Sequence, residues 1–132
     1  IAPYMLPYVE YFKHFLGTDK TEQLIHYGSI HLYPVELLRG HTYDDTIMIM
    51  DETQNSTIKQ VKLFLTRMGN RSKAIMVGDV TQSDIGEKNG LRFCMDNLSD
   101  LRNLAICKFD KSDVLRHPII PDILERFEKK GF

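Results

Sequence analysis

Two short apolar runs, each ending in acidic residues, constrain this chain more than any other feature. Thr46-Ile47-Met48-Ile49-Met50 runs into Asp51-Glu52, and Ala74-Ile75-Met76-Val77 runs into Gly78-Asp79. Neither run alternates apolar with polar residues. Both faces of each strand are therefore expected to be buried, as in the centre of a parallel sheet. Between them, Ile58, Val61, Leu65 and Met68 recur at helical spacing. Asn55 or Ser56 stands ready to cap that helix, and Gly69 follows it. Strand, helix, strand in this order predicts an α/β fold with a mainly parallel sheet flanked by helices.

The rest of the chain fits that frame. An aromatic-rich segment over 8–16 reads as a helix stopped by Gly17. Asp19 with Glu22 reads as a capping pair opening a short helix that Gly28 ends. Residues 30–35 alternate before Pro34 breaks them, which predicts a short strand. A helix is expected over 91–98 and a third apolar strand over 104–107. The last helix is expected to start near Pro118 and to bury Ile119, Ile120, Ile123, Leu124 and Phe127. With 132 residues and no repeat or linker, one domain over 1–132 is expected.

Composition narrows the function classes. Lys and Arg number 17 against 18 Asp and Glu, a formal charge of -1, which argues against a tail-driven nucleic-acid binder. Hydrophobic residues at 42% and seven Phe with six Tyr supply enough apolar surface to exclude disorder. No apolar run approaches the length a bilayer needs, so no membrane partner is expected. Cys94 and Cys107 are too few for a disulfide framework and read as buried thiols in a reducing cytoplasm. No secretory leader pattern is present. The chain opens on Ile1 rather than Met, so an upstream segment is expected.

Ligands of parallel sheets bind outside the carboxyl ends of the strands. Here those ends carry Asp51-Glu52 and Gly78-Asp79. Adjacent carboxylates are costly to desolvate without a positive partner. A hydrated magnesium ion suits them, because it keeps several waters and takes only one or two carboxylates. In nucleoside triphosphatases a strand-end Asp holds that ion, and a following carboxylate can accept a proton from the attacking water. Gln54 and Gln82 complete the patterns D-E-x-Q and G-D-x-x-Q. A carboxamide donates and accepts, so it can contact a γ-phosphate oxygen and water without competing for the metal. Taken singly, each pattern also reads as a solvated acidic turn; their joint occurrence after two apolar strands favours the site.

The stretch from Thr46 to Asp84 resembles the PhoH family of P-loop ATPases. Leu38-Arg39-Gly40-His41-Thr42 resembles the family's Met-Arg-Gly-Arg-Thr. Asn89-Gly90-Leu91-Arg92 resembles its Ser-Gly-Leu-Arg, and Asp113-Val114-Leu115-Arg116-His117-Pro118 its Asp-Val-Val-Arg-His-Pro. Thr53 stands in place of the usual Ala, and His41 in place of an Arg. The resemblance implies a RecA-like P-loop NTPase core that binds ATP with Mg2+. It implies that Asp51 positions the metal and that Glu52 is the general base. Gln54 and Gln82 would sense the γ-phosphate, and Asp79 would orient the Gln82 loop. Arg116 would be an arginine finger acting across a homo-oligomeric ring, or else a surface salt-bridge residue. Arg39 would touch phosphate or polynucleotide, or serve its loop structurally. RNA or another single-stranded nucleic acid is the implied substrate of the coupled work.

No G-x-x-x-x-G-K-[ST] occurs in the chain. That loop cradles the β- and γ-phosphates, and the family places it upstream. The chain is therefore expected to be the C-terminal part of the core, incomplete at its N-terminus. The absent strand would lie between the one ending in Gly78-Asp79 and the one containing Ile106. Its loss is of order 10 kcal/mol of burial, against roughly 5–15 kcal/mol of total stability, so marginal stability or rearrangement is expected. Two other functions remain open. One is a non-catalytic interaction module that keeps the fold. The other is a metal-dependent nuclease built on Asp51, Glu52, Asp79 and Asp84.

The remaining candidates are weaker. Lys59, Lys62, Arg67, Arg71 and Lys73 read as a solvated face or an RNA patch. His117 reads as a turn residue or a proton-transfer group. His14, His26 and His31 lack metal-ligand partners at suitable spacing. Tyr4, Tyr8, Tyr11, Phe12 and Phe15 read as packing or subunit contact.

Overall fold

The computed structural model describes residues 5–113, 115 and 117–131. The parallel sheet forms where the two apolar runs lie. Strand β1 is Ile47–Met50 and β2 is Lys73–Met76, paired in parallel with Ile49 opposite Ile75 and Met50 opposite Met76. Helices α1 (Leu6–Leu16) and α2 (Thr18–His26) precede them, and α3 (Ile58–Leu65) makes the crossover. Helices α4 (Gly90–Asn97) and α5 (Ile120–Glu128) follow. The described chain falls into two compact units, 1–94 and 95–132.

Helix α3 has the best-defined start. Thr57 caps it, its hydroxyl accepting from Gln60 N at 3.2 Å while Gln60 Oε1 accepts from Thr57 N at 2.9 Å. This reciprocal box satisfies two donors that a helix start otherwise leaves unpaired. The cap is Thr57, one or two residues beyond the expected Asn55 or Ser56. At α2, Asp19 makes no side-chain cap; Gly17, at φ 81°, occupies the N-cap position instead. Helix α3 packs on the 3-10 turn Val35–Leu38. The buried apolar set of the first unit is Val9, Leu38, Met48, Met50, Val61, Phe64, Leu91 and Cys94.

Five expectations are corrected. The strands bury one face, not two: Met48 and Met50 are buried, while Ile47 and Ile49 are 67% and 62% exposed. Ile75 and Val77 are exposed with them, because no described element covers that face. Residues 30–35 form no strand; Pro34 lacks an N–H to donate and instead leads into the 3-10 turn. Residues 104–107 form no strand either. A strand needs a backbone partner, and among the described residues the one ladder joins β1 with β2. Helix α5 forms, but Ile119, Ile123, Leu124 and Phe127 are exposed. Cys107 is also exposed, whereas Cys94 is buried.

Candidate functional site at the strand ends

The first site loop begins where β1 stops. Glu52 takes the left-handed conformation, φ 51° and ψ 36°. For a residue with a Cβ this costs about 1–2 kcal/mol. Several bonds hold the bend. Thr53 N donates to Val77 O at 3.0 Å, and Thr53 Oγ1 donates to Met50 O at 2.9 Å. Thr53 is wholly buried, and that hydroxyl bond accommodates it where the resemblance has Ala. The bend launches the 3-10 turn Thr53–Asn55 and leaves Asp51 and Glu52 exposed.

Gln54 ties this loop to the next one. It is 2% exposed. Its Nε2 donates to Glu52 Oε2 at 2.5 Å, and its Oε1 accepts from Asp79 N at 3.1 Å. The Asp79 N–H can only donate, so the two bonds define the orientation of the carboxamide. Gly78 makes room for it: a Cβ there would collide with Gln54 Oε1 and the Leu91 side chain.

Asp79 shapes the turn that carries Gln82. Its Oδ1 accepts from Thr81 N at 2.8 Å and Thr81 Oγ1 at 2.6 Å, and its backbone O accepts from Gln82 N at 3.1 Å. Ser83 Oγ donates to Gln54 O, 2.8 Å away, and lies 2.9 Å from Gly86 O. Asn55 Oδ1 accepts from Asp84 N at 2.8 Å. Asn89, 1% exposed, closes the network from below. Its Nδ2 donates to Gly86 O at 2.8 Å, and its Oδ1 accepts from Arg92 N at 2.9 Å, capping α4.

Asp51 is held from both sides. Oδ1 accepts from Glu52 N at 2.9 Å, and Oδ2 accepts from the Tyr8 hydroxyl of α1 at 2.5 Å. That bond, partial burial and the Asp51 and Glu52 charges push the Tyr8 pKa up to about 12. Each Asp51 oxygen keeps a further lone pair. A hydrated magnesium ion needs only one or two protein carboxylates with substrate phosphates, so this donor set fits it. It does not fit an all-protein cage: among the described residues no three His, Cys, Asp or Glu side chains gather to hold a metal.

The structure thus brings together Asp51, Glu52, Gln54 and Asp79, with Gln82 on the adjoining turn. The Gln82 side chain is exposed and makes no hydrogen bond among the described residues. Arg39 is exposed in the turn after Val35–Leu38, and its carbonyl accepts from His41 Nδ1 at 3.1 Å. Arg116 and Tyr4 lie outside the described residues. Of the basic set, Arg71 forms a two-pronged pair with Asp45, through Nε at 2.5 Å and Nη2 at 2.6 Å, which closes the turn before β2. Sequence reasoning missed Tyr8 as a site residue, reading its ring as packing or subunit contact. It also missed Ser83 and Asn89. The S-x-x-x-x-x-N-G spacing before α4 was the available signal for the cap.

These features define an α/β protein whose candidate site lies at the carboxyl ends of parallel strands. A family model described as PhoH-like protein matches residues 1–128, and the chain belongs to that family. It is 39% identical to a PhoH-like protein of Bacillus subtilis (strain 168), over 99% of this chain and 42% of the relative. It is 35% identical to a PhoH-like protein of Synechocystis, over 98% and 40%. Protein PhoH of Escherichia coli (strain K12) is 30% identical, over 96% and 37%. The chain therefore spans about two-fifths of the length of these curated relatives.

Proposed function

We propose that these residues form the hydrolytic half of an ATPase site in a RecA-like P-loop core. The observation that carries this reading is the Gln54 carboxamide joining Glu52 to the Asp79 amide. It makes the two strand-end motifs one unit. Asp51 is the residue that would hold magnesium, which when bound neutralises phosphate charge. Glu52 is the general base: Gln54 occupies Oε2 and leaves Oε1 to take a proton from the attacking water. Gln82, on the turn built by Asp79, contacts the γ-phosphate, and a change there reaches Glu52 through Gln54. Arg116 serves as the arginine finger from a neighbouring copy in a ring, and Arg39 contacts polynucleotide. The released energy drives work on RNA or another single strand in the cytoplasm.

The phosphates also need a cradle of backbone N–H groups and a Lys. The part of the longer relatives outside the match is where that cradle belongs. No described helix is long and apolar enough to cross a membrane.

Glu52→Gln tests the reading in protein of the relatives' full length. Phosphate release is expected to fall at least about a hundredfold, since general-base catalysis contributes about 10²–10⁴-fold. ATP binding, measured by fluorescent-nucleotide titration, is expected to persist. Unchanged phosphate release would contradict the assignment of Glu52, and full-length wild-type protein that releases no phosphate would favour a non-catalytic interaction module.

A further inference from the structure

Tyr8 stands 43 residues before Asp51, yet its hydroxyl lies 2.5 Å from Asp51 Oδ2. The contact comes from helix α1, which the strand-end motifs do not include. Pro7 lies in the first turn of that helix, and Val9, beside Tyr8, is buried. The ring is half-buried, so the hydroxyl approaches Asp51 from a fixed helix turn rather than a free chain end. Asp51 Oδ1 is engaged by Glu52 N. One donor on each oxygen leaves the carboxylate a single orientation. Tyr11, one turn further along α1, is 67% exposed and has no such partner among the described residues.

We infer that Tyr8 is a positioning residue that orients the Asp51 carboxylate for a divalent cation bound with nucleotide. The inference rests on the ATPase reading above and adds to it a residue from α1. Hydrogen bonds that orient a metal-binding group commonly change metal affinity by about 10–100-fold when removed. Tyr8→Phe deletes the hydroxyl and keeps the ring. It therefore removes the orientation of Asp51 while leaving the packing of α1 in place.

The test uses intact protein and Mn2+ as the probe, with free Mn2+ followed by electron paramagnetic resonance in the presence of ATP. The half-saturating Mn2+ concentration is expected to rise about tenfold in Tyr8→Phe and to stay unchanged in Tyr11→Phe. In an Asp51→Asn background, Tyr8→Phe is expected to add nothing, because it acts through Asp51. An unchanged Tyr8→Phe, or a full additional effect on top of Asp51→Asn, would overturn the inference. A wild-type protein without ATP-dependent Mn2+ binding would overturn the ATPase reading itself, and this inference with it.

A second measurement avoids substitution of the hydroxyl, should Tyr8→Phe melt early. 3-Fluorotyrosine at position 8 is expected to shift its fluorine resonance when Mg2+ and ATP are added. The shift is expected to vanish in Asp51→Asn. A resonance unmoved by Mg2+ and ATP in otherwise unaltered protein would contradict the role.

Discussion

Replacing Gln54 by Leu removes both of its bonds at once and leaves the Asp79 N–H without an acceptor. That orphaned donor costs about 1–3 kcal/mol, read as a lower melting temperature. Phosphate release should fall with it, because Glu52 and the Gln82 turn lose their link. Gly78→Ala attacks the same joint from the other side. Its Cβ must displace the carboxamide or Leu91, an overpacking cost of about 1–3 kcal/mol. If Gly78→Ala melts like wild type, the close approach is not structural. At this scale the sequence marked the residues that the strand-end loops bring together but not their connections. D-E-x-Q and G-D-x-x-Q mark Asp51, Glu52, Gln54 and Asp79. Nothing local to Glu52 announces a positive φ, since only tertiary bonds such as Thr53 N to Val77 O hold it there. Nor does any local pattern pair Tyr8 with Asp51 across 43 residues.

Helix α4 depends on its cap. Asn89→Ala removes the acceptor for Arg92 N and the donor to Gly86 O, so about 1–2 kcal/mol of stability should be lost. Thermal melts of the variant check this. The same helix carries Cys94, whose thiol burial pushes up. Folding then favours the protonated thiol. Its contribution is fully present below the ordinary value of 9.0 and is lost as pH rises through the raised folded value. At pH 8, iodoacetamide should modify exposed Cys107 well before Cys94, as mass spectrometry of the two peptides would show. Equal rates would mean that Cys94 is not buried in solution. Elements whose period is local were legible: α1, α3, β1, β2 and α4 fall close to their sequence patterns. The expected strand over 104–107 does not form, because an apolar run makes a strand only when a neighbour pairs with it. Helix α5 was legible as a helix, yet an amphipathic pattern cannot state what covers its apolar side.

For the molecule as a whole, the open sheet face is the main consequence. Ile47, Ile49, Ile75 and Val77 form an exposed apolar patch on one side of β1 and β2. Patches of this kind mark surfaces that another element covers or that associate. A protein of residues 1–132 alone should bind a hydrophobic dye and self-associate with rising concentration. Ile47→Thr with Ile49→Thr should relieve that association. In protein of the relatives' full length, the same pair should instead lower the melting temperature, because there the face is expected to be covered. Sedimentation and melting of both lengths separate the two signs. The proposal that the two strand-end loops form one nucleotide site has its most direct test in hydrogen exchange of the full-length protein. With Mg2+ and ATP added, amides over 51–55 and 78–84 are expected to gain protection together. Protection confined to one loop, or absent from both, would contradict a shared site at the strand ends.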